Sequence, residues 1–480
     1  MHRNNVKFFI HCIITVVIFL VISRIPLTEP LTEQGMQVIG LIVAFVYGRI
    51  AIDAVVPSLI VLFLYATTGL NTVQGAFMAA GGHAAVMMVL ALMMLGAVMN
   101  HTGLAEALAK RIVNTRLASG RPWVLTLCIL LAAAIPSMFL TAIPVLIIVW
   151  GIAKEIFHLV GYEKGEKWPA LIMSGITGAA TLAVSAMPFS MGVVTDFSIF
   201  ANLYGEGTTI PSIPFITTSL VLCALLLVFM LLIMRFVFRP NVEKLKTYQV
   251  QDKVEPFTRD QKRALVLLVI FVVIVLMPDI LPTASPLKPI VAQFGTMGGG
   301  FLIVLIALLI RNKDGSPFIT MRDIGKGVMW DLLIMIWALM VVCGSLTNPE
   351  LGASTFFANL LTPIVEKTGS FGSYAILQGV SLFGTNLMDN AVVGMTMASI
   401  ISMTGTKLGI SAVAVFCFIM HSAEYGVLLP SSSPLSAMTY QQTESKWITK
   451  KDIFITGLFW MVAVYIIVAL IGFPLLRFLA

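Results

Sequence analysis

Apolar residues run along this chain in windows of about 20, the length that spans roughly 30 Å of hydrocarbon as helix, with short polar segments between them. Within a window they occupy every face, so the alternation that a membrane β-barrel strand requires is missing and helices are predicted. Windows at 8–26, 36–52, 54–69, 84–104, 168–195, 213–238, 263–281, 289–310, 328–346, 409–437 and 453–478 give about eleven crossings. Two apolar stretches remain, 123–153 and 371–404, and neither fits as a single crossing. Each has a breaker near its middle: Pro136 and Pro144 in the first, the run from Gly384 to Asn390 in the second. Both are predicted to be re-entrant hairpins, pairs of half-depth helices that enter and leave by one face.

Composition agrees with a membrane protein. The chain is 58% hydrophobic and 11% charged, with a mean hydropathy of +0.97, too apolar to leave a soluble domain its polar surface. The net charge of +7 does not point to nucleic acid, because the basic residues gather in the loops between windows. That is the bias of cytoplasmic loops. Basic segments at the N-terminus, 105–122, 239–263, 311–327 and 441–452 are therefore placed inside. The loops 27–35, 69–82, 197–212 with its flanking Asp196, and 347–370 are placed outside. This puts the N-terminus in the cytoplasm and the C-terminus outside, in a cell inner or plasma membrane, with residues 8–26 as a first span rather than a cleaved signal. The loops on either side of 123–153 both fall inside, as a hairpin requires. Five cysteines lie in apolar windows without CxxC spacing and are read as packing residues.

Three landmarks recur in order. A span ending NHTGLAEALAKRI (100–112) is followed by AIPSMFLTAIPVL (134–146) and TLAVSAMPFSM (181–191); a span ending LTNPELGASTFFANLL (346–361) is followed by LFGTNLMDNAVVG (382–394) and LLPSSSPLSAM (428–438). With one hairpin opening inward and the other outward, the halves form an inverted repeat. The predicted organisation is 1–35 as first span and loop, 36–238 as first repeat, 239–262 as cytoplasmic linker and 263–480 as second repeat. The fold class is thus an all-α polytopic membrane protein with an inverted-topology repeat.

Broken helices at membrane depth leave amides and carbonyls that protein, water or a solute must satisfy. The candidates there are oxygen donors: Ser137 and Thr141 at the first tip; Thr385, Asn386, Asp389 and Asn390 at the second; Pro188 and the serines of 185–190; and Ser431, Ser432, Ser433 and Pro434. They suit a hard cation such as sodium or hydrogen bonds to an anion. Asp389 is the one charge of its segment, and an ionised Asp at the midplane costs about 2.5–3.5 kcal/mol or more. It can bind a cation, carry a coupling proton, or sit protonated as a donor. His421 and Glu424, three residues apart on one helical face, are a possible proton relay or a packing pair.

These hairpin tips and the proline-marked breaks that follow them resemble the divalent anion/sodium symporter family of the ion-transporter superfamily, carriers of citrate, succinate and other dicarboxylates or sulfate. The resemblance covers nearly the whole chain after the first span. It implies a homodimer in which a transport domain of hairpins and broken spans moves by an elevator motion against a fixed scaffold. It also places Ser432, Ser433 and Pro434, in LLPSSSPLSA (428–437), at cation- and substrate-contacting positions. Where the family carries Ser-Asn-Thr at each tip, this chain reads Thr141-Ala142-Ile143 and Asp389-Asn390-Ala391.

The function expected is secondary transport of a small anion, a di- or tricarboxylate foremost, coupled to sodium or protons. The alternatives are an anion exchanger without cation coupling, or a carrier of sulfate or a monocarboxylate. Substrate contacts are assigned to Thr141, Asp389, Asn390, Ser433, Pro434 and Pro188; cation or proton coupling is assigned to Ser137, Thr385, Asp389, Asn390 and Ser432. Neither a nucleotide loop nor a catalytic triad nor a zinc motif occurs, so no enzyme, pump, cofactor or nucleic-acid partner is expected beyond a coupling ion.

Overall fold

The computed structural model describes residues 2–26, 29–205, 208–250, 255–282, 284–345, 348–387, 390–404 and 411–479. Asp389, the residue given most weight in the sequence, lies outside the described residues. The chain is helical almost throughout. In order the helices are α1 (His2–Ile22), α2 (Glu33–Ala51), α3 (Val55–Ala66), α4 (Val73–Gly82), α5 (Ala84–His101), α6 (Leu104–Val113), α7 (Pro122–Phe139), α8 (Ala142–Leu159), α9 (Lys167–Val184), α10 (Met191–Tyr204) and α11 (Ser212–Leu232). After a linker come α12 (Arg259–Ile280), α13 (Leu287–Leu309), α14 (Met321–Gly327), α15 (Trp330–Ser345), α16 (Ala353–Leu387), α17 (Asn390–Thr404), α18 (Ala412–Ala423), α19 (Pro434–Gln441) and α20 (Lys450–Ile467). Helices leaving polar loops carry their own caps: Thr258 with Gln261 at α12 and Thr449 with Asp452 at α20 form reciprocal capping boxes, and Thr32 caps α2.

Among the described residues seven helices are long and apolar enough to cross a membrane, or nine if two bent pairs each count as one. The sequence windows gave about eleven crossings. The difference has a physical cause: window 409–437 is split at a break into halves too short to cross alone, window 168–195 breaks after the 18 residues of α9, α3 in window 54–69 has only 12 residues, and both arms of the first hairpin reach 18. At 1.5 Å per residue such an arm is about 27 Å long, more than half depth. Two expected outside loops are also corrected. Helix α4 fills most of 69–82, and 347–370 contains the first part of α16, which bends at Gly369 (φ 65°) before the hairpin arm begins.

Both hairpins return to the end of the molecule from which they start. The Gly120 N–H donates to the Tyr248 carbonyl at 3.0 Å, and Tyr248 shares a cleft with Glu155, Ile156 and His158, so the outer ends of α7 and α8 are neighbours. The two hairpins open at opposite ends of α20. His158 and Lys154 of the first reach Trp447 and Gln442, just before α20. Phe371 and Tyr374 of the second reach Phe473 and Val468, just beyond it. Residues 450–472 are continuously helical, roughly 34 Å, the thickness of a bilayer core.

The packing divides into two bodies. Helices α1–α5 and α12–α15 pack mainly on one another, and α7–α11 with α16–α20 do the same. They meet along α5 against α10 and α15 against α17, and α6 lies against the first hairpin.

Candidate functional site

The site is assembled from four interruptions. At the first hairpin tip the chain turns through Leu140 and Thr141, both extended, and α8 starts without a side-chain cap. Asn100 of α5 donates to the Thr141 hydroxyl at 2.7 Å. The break between α9 and α10 runs from Ser185 to Ser190, and α10 likewise starts without a side-chain cap. At the second tip α17 starts at Asn390, whose backbone N–H donates to the Ser432 carbonyl at 3.1 Å and whose side-chain amide donates to Glu424 Oε2 at 2.7 Å. The break between α18 and α19 spans 424–433.

Asn386 keeps that last break in shape. Its carbonyl oxygen accepts from the backbone of Val427 at 3.0 Å and Leu428 at 2.9 Å, while its amide donates to the carbonyls of Tyr425 and Leu382 at 3.0 and 2.8 Å. Buried peptide groups freed by a broken helix need such partners. Ser433 then caps α19, accepting from Ser436 N–H at 3.1 Å and donating to the Gly426 carbonyl at 2.7 Å.

All four interruptions line one cavity of about 190 Å³. Ser137, Thr141, Asn390, Glu424, Ser433 and Pro434 are all on its wall, so six residues widely separated in sequence are brought together. Pro188 lies just outside, with its neighbours Phe189 and Ser190 on the wall. Thr385 and Ser432 are buried and do not line it; the Ser432 hydroxyl is used on the Leu429 carbonyl. His421 sits away from the wall, its ring nitrogens each 3.0 Å from the hydroxyls of Ser185 and Ser219 and its ring stacked on Phe215.

Two physical features dominate this cavity. The first turns of α8, α10, α17 and α19 all open on it, at Ala142, Met191, Asn390 and Pro434. Helix N-termini carry unpaired amides and a partial positive charge, the ordinary environment for an anion. It is also lined by two buried carboxylates, Glu424 and Asp196, and among the described residues by no lysine, arginine or histidine.

Asp196 was assigned from sequence to the edge of an outside loop. It is instead in the second turn of α10, fully buried, because the helix continues to Tyr204. A single Asp beside a polar segment carries no signal for depth; its position two turns beyond Pro188, the mark of the break, was the available clue. Thr181, on the wall at the end of α9, was also missed.

A sequence profile of the citrate transporter family matches residues 41–423, most of the chain. The chain belongs to the citrate transporter family. A solved structure, the YdaH transporter of Alcanivorax borkumensis, described as having an unusual topology, is similar to this citrate transporter family member with a TM-score of 0.58. It is 15% identical over 97% of this chain and 96% of that chain, a likeness of fold alone. No curated protein matches by sequence. The family is one of transporters, so this member is an integral membrane transporter and not an enzyme, in agreement with the anion-carrier resemblance drawn from its hairpins and breaks.

Proposed function

We propose that this protein is a secondary active transporter of a small carboxylate anion, a di- or tricarboxylate of the citrate kind, that moves together with positive charge. The observation that carries this reading is the convergence of four helix N-termini on one cavity of about 190 Å³ that also holds two carboxylates. The N-termini supply amides for the substrate's carboxylates, with the hydroxyl of Thr141 and the turns at Asn390, Ser433 and Pro434 beside them. With Asp196 and Glu424 ionised, a polyanion at a few ångströms would be repelled; substrate entry therefore requires sodium, a proton or another cation alongside. That requirement favours coupled transport over exchange without a cation. Asp389, at the second tip, remains a candidate carrier of the same charge.

The two packed bodies fit an elevator motion, with α7–α11 and α16–α20 as the moving part, and a homodimer is the assembly we expect from the resemblance. The test is uptake of labelled citrate, succinate and sulfate into proteoliposomes, with sodium and proton gradients imposed separately. Gradient-driven accumulation of a carboxylate is the expected result. Sulfate accumulation without carboxylate uptake, or exchange that no cation gradient accelerates, overturns the reading.

A further inference from the structure

The end of α11 carries an arginine on the outer surface of the molecule, at a depth where its exposed neighbours are apolar. Met230 and Met234 reach Gly178 and Gly175 of α9, where an added Cβ would stand 2.9 and 2.5 Å from their Cε atoms. Gly175 lies eight residues beyond Lys167, the polar start of α9, which is about 12 Å along the helix. Arg235 follows Met234, so its backbone starts well below the polar ends of the helices around it. Leu232, Phe236 and Val237 beside it are 41%, 57% and 54% exposed, a surface that lipid chains cover.

Among the described residues the Arg235 guanidinium has neither a hydrogen bond nor an ion pair. Its contacts are with two rings, Trp123 at 5.7 Å and Phe236 at 5.4 Å from the centroids. Trp123 is the second residue of α7, so the side chain is drawn from the apolar belt toward the end of the bundle, as long basic side chains are. The helix end adds a second cation. Residues Ile233–Phe238 widen into a π-helical turn closed by the Arg239 N–H on the Met234 carbonyl at 3.1 Å. Arg239 takes a left-handed φ of 47°, and its Nε caps the Phe236 carbonyl at 2.8 Å, leaving the rest of an exposed guanidinium about one turn beyond Arg235. Arg121, exposed and two residues before Trp123, is a third. The adjoining loops do not balance them: 114–122 has no acid, and Glu243, the one acid of 239–250, is paired with Lys246.

We propose that Arg235, Arg239 and Arg121, grouped about Trp123, form a headgroup site for an anionic phospholipid. A guanidinium matches the oxygens of a phosphate with paired N–H donors, and a lipid is the phosphate carrier that a bilayer supplies at this depth. Its chains would lie along Leu232, Phe236 and Val237. A soluble anion leaves those apolar side chains unmatched; an amphiphile satisfies both. A zwitterionic lipid would bring a further cation to a place that already holds three. None of these residues lines the cavity, so the inference is independent of the proposed substrate and coupling.

The experiment titrates the full-length protein in detergent with phosphatidylglycerol and with phosphatidylcholine, counting bound lipid by native mass spectrometry. Tight binding of phosphatidylglycerol and weak binding of phosphatidylcholine are expected. Each basic side chain at an anionic lipid surface is worth about fivefold in affinity, so Arg235→Gln with Arg239→Gln should weaken phosphatidylglycerol by about twentyfold and leave phosphatidylcholine unchanged. Arg235→Lys, which keeps the charge and loses the planar fork, should fall between and serves as the measure if the double variant does not fold. Inorganic phosphate, titrated by calorimetry, should show no saturable binding. Equal binding of the two lipids, or phosphatidylglycerol binding that the double variant retains, overturns the site. So does saturable phosphate binding that the double variant loses, which would assign the arginines to a soluble anion. A change of oligomeric size in the double variant would assign them to a contact between copies, with the same consequence.

Discussion

At the scale of single residues, the chemistry of this protein depends on side chains that repair what the helix breaks expose. Asn386 is the clearest case, with three hydrogen bonds to the backbone of the turn at 424–433 and a fourth to the Leu382 carbonyl of its own helix. Asn386→Ala leaves the buried amides of Val427 and Leu428 and the Tyr425 carbonyl short of a partner, at about 1–3 kcal/mol for each unsatisfied group. A fall in thermal stability of about 2–5 kcal/mol is expected. Asn386→Asp, which keeps the acceptor, should lose less. The check is thermal unfolding of the purified protein; equal stability of all three forms would remove the assigned role. The sequence offered Asn386 as a candidate ligand, and its partners make it a structural bond instead. His421 similarly ties the first break to α11 through Ser185 and Ser219.

At the scale of elements, close approach of α10 and α17 is possible because glycine faces each carboxylate. Gly192→Ala places a methyl 2.5 Å from Glu424, and overpacking of this kind costs about 1–3 kcal/mol. Gly151, in α8, is a built-in control, since a Cβ there meets nothing within 4 Å. Gly151→Ala should be neutral or stabilising by up to about 1 kcal/mol, as usual within a helix. Uptake and melting temperature measured side by side should therefore move in Gly192→Ala and not fall in Gly151→Ala. Identical behaviour of the two would mean that this contact is looser than its geometry implies. The hairpins and breaks were legible in the sequence because proline, glycine and asparagine interrupt helices for local reasons. Helix α4 and the first part of α16 were not, because loops and short helices of mixed polarity give the same weak pattern.

At the scale of the whole molecule, the first hairpin tip touches the other packed body directly. A Cβ on Gly96 of α5 would stand 3.9 Å from the Cβ of Thr141, near the mean separation in disulfides of about 3.8 Å. In a variant lacking the native cysteines, Gly96→Cys with Thr141→Cys should cross-link under mild oxidation. If the bodies must shift for transport, uptake should stop on oxidation and return on reduction. Full uptake with the disulfide formed would exclude motion between α5 and the hairpin.

The sequence by itself determined that this is a membrane protein of helices, where its helices break, and that two hairpins open in opposite senses. Those properties follow from local chemistry: apolar length, breaker residues and loop charge. It could not decide which broken end meets which, because the cavity joins positions from Ser137 to Ser433 through packing rather than proximity in the chain. Only the tertiary structure moved Asp196 from a loop edge to the cavity wall, which Glu424 also lines. The depth of a side chain depends on where its helix ends and what packs on it, and no residue's own identity records that.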